Sequence, residues 1–126
     1  MEETKNCACS AAPKLIFACS GASDVGRLSD LAARHMTKEQ IGKMYCLAGI
    51  GGGLNDFIET TKMADKILVI DGCVADCAKH TMEKAGFKSF GFIRLSDLGF
   101  EKGKTSVTSE SINVVAKKGK ELLSCC

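Results

Sequence analysis

"KILVIDGCVADCAKH", residues 66–80, is the stretch on which the reading of this chain turns. "KILVIDG" (66–72) is an uninterrupted apolar run rich in β-branched residues. It has no polar alternation, which is the pattern of a strand buried on both faces. "VADCAKHTMEKAG" (74–86) follows at once and reads as a helix closed by Gly86. A fully buried strand feeding a helix is one half of a βαβ unit, so the sheet it belongs to is parallel.

The same alternation extends to both sides. Upstream, "KLIFAC" (14–19) is a short apolar run bounded by Pro13 and "SGAS". After it, "VGRLSDLAARHM" (25–36) sets Val25, Leu28, Leu31, Ala32 and Met36 at helical spacing. "KMYCLAGI" (43–50) reads as a second strand, ended by the glycine cluster "GIGGG" (49–53), which reads as a flexible turn. "LNDFIETTKMA" (54–64) then carries Leu54, Phe57, Ile58 and Met63 on one helical face. Downstream, "FGFIRLSDL" (90–98) is a fourth strand. "SESINVVAKKGKELL" (109–123) is a closing helix with Ser109 as its N-cap and Ile112, Val115, Ala116 and Leu122 or Leu123 on its apolar side. The expected fold is a small Rossmann-like three-layer α/β domain: a roughly four-stranded parallel sheet with right-handed crossovers and helices on both faces. The whole chain, 1–126, reads as a single domain, with 1–12 as a flexible tail, 13–124 as its core, and "GFEKGKTSVTS" (99–109) as a mobile polar loop. Strand order is not legible.

Composition narrows function mainly by exclusion. With 17 basic against 15 acidic residues, and only six Phe and one Tyr, the chain shows neither the basic footprint nor the stacking aromatics of a nucleic-acid binder. No run approaches the roughly eighteen apolar residues needed to span a bilayer. The opening "MEETKNCACSAAPK" is acidic and polar where a secretory signal is basic and then apolar. The expected location is therefore cytoplasmic, with no membrane partner. In a reducing compartment eight cysteines imply metal binding or thiol chemistry more than disulfides.

Four of those cysteines belong to one geometric class. Cys19 ends the first strand, Cys46 lies within the second, and Cys73 follows the third. Cys77 comes one helical turn later, so that Cys73 and Cys77 share a helical face near its positive end. The carboxyl edge of a parallel sheet is where ligands bind, and thiolates gathered there repel one another unless a soft cation such as zinc joins them. The expected site is one zinc held by Cys19, Cys46, Cys73 and Cys77, with Ser20, Gly21, Asp24, Asp71 and Gly72 as supporting or anion-binding residues. Two other readings use the same thiols. One is a cysteine-dependent thiol enzyme or sulfur carrier acting through Cys73 or Cys19; the other is an iron-sulfur cluster, for which the ferredoxin spacings are absent.

"ACSGASDVGRLSDLAAR", "YCLAGIGGG" and "ADKILVIDGCVADCAKH", in that order and at those separations, resemble the DGC domain family. The family is named for its Asp-Gly-Cys triplet and is described as zinc-binding; the triplet here is Asp71, Gly72 and Cys73. The likeness runs from about Lys14 to Leu95. It implies that the family's four characteristic cysteines correspond to Cys19, Cys46, Cys73 and Cys77. The chain departs at Val74, where the family commonly has proline.

Other motifs carry less. "FACSGASDVGR" has the layout of a low-molecular-weight phosphatase loop, but the arginine such a loop needs six residues after the cysteine is replaced by Val25. "GIGGG" lacks G-x-G-x-x-G spacing. Of the two histidines, His35 and His80, His80 lies three residues past Cys77, where it could substitute as a fourth ligand, but it reads as a solvated surface residue. Cys7 and Cys9 form a C-x-C near the start, and Cys125 and Cys126 end the chain, without a distinguishing pattern.

Overall fold

The computed structural model describes residues 12–124, so Cys7, Cys9, Cys125, Cys126 and the expected tail lie outside the described residues. Four parallel strands, β1 (Lys14–Ala18), β2 (Lys43–Met44), β3 (Lys66–Asp71) and β4 (Gly91–Arg94), stand in the order β2-β1-β3-β4. The helices are α1 (Asp24–Lys38), α2 (Leu47–Gly51), α3 (Asn55–Lys62), α4 (Cys77–Lys84) and α5 (Ser109–Leu123), with a 3-10 turn at Leu95–Leu98. The expected Rossmann-like α/β fold is the observed one.

Strand side chains alternate between two cores, as the two-residue period of a strand requires. Ile16, Ala18, Leu68 and Ile70 pack with Val25, Leu28, Ala32 and Met36 of α1 and Val115 and Leu123 of α5. Leu15, Phe17 and Val69 face the other way, onto Ile50 of α2 and Ala78 and Met82 of α4. Phe17 is wholly buried, and Tyr45 meets it edge-on at 6.0 Å.

Several boundaries differ from those expected. β2 is only Lys43–Met44, and of the rest of "KMYCLAGI" residues 47–50 belong to helix α2, with Cys46 as its N-cap residue rather than a strand residue. A short apolar run does not distinguish strand from helix, and Leu and Ala are strong helix formers. The "GIGGG" turn is accordingly half helical: Gly51 ends α2 and only Gly53 takes a left-handed conformation. A Cβ on Gly49 would stand 2.6 Å from the Phe57 ring, so the missing side chain lets α2 lie against that ring. Leu54 and Met63 were expected on one helical face, yet are 53% and 73% exposed, because α3 is short and they are the N-cap and C-cap residues just outside it.

The helix after β3 starts at Cys77 instead of Val74, since Asp76 adopts φ 52° and ψ 44°, which no right-handed helix can include. The fourth strand stops at Arg94 and turns into the 3-10 segment. The cap of α5 is Thr108, one residue before Ser109: its hydroxyl accepts from the Ser111 N–H at 3.1 Å while Ser111 Oγ accepts from the Thr108 N–H at 2.8 Å. The loop before α5 is anchored, its Gly103 and Thr105 N–H groups donating to the Asp24 carboxylate. No helix among the described residues is long and apolar enough to cross a membrane.

Candidate functional site

The strand order creates the site. From β1 the chain moves outward on one side to β2, and from β3 it moves outward on the other side to β4. The two exits diverge, leaving a crevice at the carboxyl ends of β1 and β3, which is the topological switch point where open α/β sheets bind ligands. Cys19 and Cys73–Cys77 are the segments that leave those two strands.

Cys19, Cys73 and Cys77 line one small cavity there, of about 20 Å³, together with Ser23, Asp71, Gly72 and Asp76. Cys46 lines the neighbouring cavity instead. That space, of about 990 Å³, opens between α1 and α2 and includes Ser20, Asp30, Arg34, Tyr45 and Thr81. Cys19 and Ser20 thus face the two cavities from one turn. All four cysteines carry free thiols, with Cys46 and Cys77 exposed and Cys19 and Cys73 half-buried. Because α4 begins only at Cys77, Cys73 sits in the preceding turn and the two do not share a helical face. Among the described residues, no three His, Cys, Asp or Glu side chains stand gathered to hold a metal ion.

The supporting residues divide by role. Asp71 is buried at the end of β3, and its two oxygens accept the N–H groups of Ala78 and Lys79, each at 2.8 Å. It thereby caps α4 from outside the helix, a function that Asp76 at the N-cap position does not perform. Asp76 is instead bound by Arg94 from the end of β4, whose Nε donates to Oδ1 at 2.8 Å and whose Nη2 donates to Oδ2. Ser20 donates to Asp30 at 2.7 Å, and Asp24 serves the loop at Gly103 and Thr105. Gly72 lies against Val25, where a Cβ would stand 2.8 Å from Cγ2. Gly21 passes over Cys19, its Cβ position 3.7 Å from Sγ. The reading from sequence did not single out Asp76 or Arg94. Their signal is faint, since an arginine at a strand end has no local mark of the carboxylate it will meet.

Charge in the cleft follows from these contacts. Burial pushes the Cys19 thiol up, a bond from the Gly21 N–H offsets this in part, and Asp71, Cys77 and Cys73 push the same way as burial. Burial also raises Asp71, against its two backbone hydrogen bonds. The Arg94 hydrogen bonds hold Asp76 below the usual carboxylate range. Each oxygen of the two carboxylates bordering the cavity accepts one hydrogen bond, and three thiols stand beside them. Thiol donors are of the kind that soft or borderline cations take. His80 takes no part, its side chain being 72% exposed and 3.9 Å from Glu83.

A family model described as the DGC domain matches residues 15–118, reaching past Leu95 into α5. The chain is also similar to the anaerobic and virulence modulator AnvM of Pseudomonas aeruginosa, with 30% identity over 88 residues, covering 70% of this chain and 67% of that protein. No solved structure matches.

Proposed function

The chain belongs to the DGC domain family, and on that premise we propose that it binds one zinc ion through Cys19, Cys73 and Cys77, with Cys46 as the fourth thiol. One observation carries the reading: three thiols from two separate strand ends border a single cavity at the switch point. Zinc supplies the positive charge that lets crowded thiols ionise, and a cation there opposes the burial that otherwise keeps Cys19 protonated. Four sulfurs, which would require Cys46 to turn in from the neighbouring cavity, would make a closed site; three would leave a position open to water. The rival reading is a nucleophilic or sulfur-carrying Cys19 or Cys73; of these, Cys19 has its thiolate disfavoured by burial.

The test is metal content and free-thiol count on anaerobically purified protein, for the parent and for Cys73→Ser, Cys77→Ser and Cys46→Ser. About one zinc per chain, lost in the Cys73 and Cys77 variants, is expected of a structural-type thiolate site. A metal-free parent with a fast-reacting thiol at Cys19 or Cys73 overturns the reading in favour of thiol chemistry.

A further inference from the structure

We propose that residues 100–108 form a strap across the Asp-Gly-Cys turn and that Asp24 is its latch, so that letting go of the Asp24 carboxylate admits solutes to Cys73. The inference holds whether or not the thiols take a metal. It starts from the strand order. β3 stands between β1 and β4, so the chain that leaves β4 must pass the carboxyl end of β3 to reach anything attached to β1. Asp24 is attached to β1, as the first residue of α1. The Gly103 N–H is shared between its two carboxylate oxygens at 2.9 and 3.0 Å, and the Thr105 N–H donates to Oδ2 at 2.9 Å. The segment therefore spans the turn that carries Cys73. A cavity of about 590 Å³ lies between the two, with Cys73, Val74 and Ala75 on the side of the turn and Gly99, Glu101 and Lys102 on the side of the strap.

The strap is built to open at one point. Its middle, 101–105, is closed on itself: the Lys104 N–H and the Thr105 hydroxyl both donate to the Glu101 carbonyl, at 3.0 and 2.7 Å. Among the described residues, the hydrogen bonds of 101–105 to the rest of the chain all go to Asp24. Residues 101–104 are exposed, whereas Phe100 on one flank and Val107 on the other pack against the core. Two apolar anchors thus hold the ends, and one carboxylate holds the span. Water can take over the Gly103 and Thr105 N–H groups once they leave the carboxylate, and little apolar area is lost, so this is the kind of segment that opens without unfolding the domain. The helix itself does not call for these bonds: Ser23 caps α1, and Asp24 Oδ1 also accepts from the Val25 N–H at 2.8 Å. Cys73 is half-buried and packs against the same core cluster as Phe100, while its neighbour Val74 is 78% exposed, so the thiol sits at the covered end of an otherwise open turn.

The experiment uses the full chain, treated with a chelator and kept reduced, and follows the alkylation of each cysteine by iodoacetamide through peptide mass mapping. Cys46, exposed and lining a different cavity, is the internal reference. In D24A the rate at Cys73 relative to Cys46 is expected to rise about tenfold, as the loss of hydrogen bonds to a charged acceptor implies for a locally opening segment. D24N, which keeps one acceptor oxygen, is expected to give a smaller rise. Amide hydrogen exchange on the same proteins separates opening of the strap from loss of the fold: in D24A the Gly103 and Thr105 amides lose protection while those of β3 and the middle of α1 keep theirs. An unchanged Cys73 to Cys46 ratio in D24A overturns the proposal, and so does a raised ratio with Gly103 and Thr105 still protected. The parent supplies a test that needs no variant. Its Gly103 and Thr105 amides are expected to exchange at least about tenfold more slowly than the exposed Lys102 amide, and equal rates would overturn the latch even if D24A did not fold.

Discussion

Gly72→Ala tests how the Asp-Gly-Cys turn is seated. Gly72 is buried, and its Cβ position lies 2.8 Å from Val25 Cγ2 and 3.0 Å from both Val25 Cβ and the Val25 carbonyl carbon. Val25 is 1% exposed in the first turn of α1, and a β-branched side chain in a helix has little rotamer freedom with which to yield. Forcing a methyl into such a contact costs about 2–3 kcal/mol, in the upper part of the range for overpacked cores. Reduced freedom of the unfolded chain returns about 0.4–1 kcal/mol. The net expectation is about 1–2.5 kcal/mol, which for a domain of this size lowers Tm by about 3–10 °C. Equilibrium urea unfolding of parent, G72A, V25A and the double variant is the assay. Val25→Ala alone costs about 2 kcal/mol through two lost methyl groups. It also opens the space the new methyl needs, so the double variant is expected to be at least about 1 kcal/mol more stable than the sum of the two effects. A G72A loss under about 0.5 kcal/mol, or strict additivity with V25A, would refute the claim that Gly72 is required for close approach.

Two further predictions concern the aspartates. Asp71→Ala strands the Ala78 and Lys79 N–H groups and is expected to cost about 2 kcal/mol in urea unfolding, with Asp71→Asn recovering part of it through its remaining oxygen; equal stability of D71A and the parent would show that α4 needs no cap. Asp76 has its folded pKa lowered, first by the Arg94 hydrogen bond, so it adds stability above the unfolded value of about 3.9 and loses it as pH falls through the lower folded value. Asp71 has its pKa raised by burial and so carries the opposite sign, favouring the folded state at low pH. Comparing the parent with D76N between about pH 7 and pH 3 isolates the first effect. The parent's advantage is expected to shrink below about pH 4, and a difference constant across the range would contradict it.

The site was only partly readable in the chain. Cys19, Cys73 and Asp71 could be located because each lies where an apolar run stops, and the end of a buried strand is marked locally by hydrophobicity. Cys46 was misplaced within a strand because "YCLAGI" is apolar in either secondary structure, and the choice was made by Ile50 and Gly49 packing onto the α4 and α3 side of the sheet. The four-residue spacing of Cys73 and Cys77 pointed to one helical face, but Asp76 breaks the helix between them, held in place by an arginine eighteen residues away. No spacing rule contains that partner.

What the sequence determined by itself was the alternation of strand and helix, the parallel sheet and the family, since all three depend on patterns within a few residues or on motifs in order along the chain. Which strands are neighbours, and hence that Cys19 meets Cys73 and Cys77 at a switch point while Cys46 faces the cavity beside it, was decided only by tertiary structure. The same holds for the exchange of roles between Asp71 and Asp76. Hydrophobic periodicity says that an element is buried, but contacts between distant segments are set by how the buried faces fill space together, and that information is not held in any one stretch of the chain.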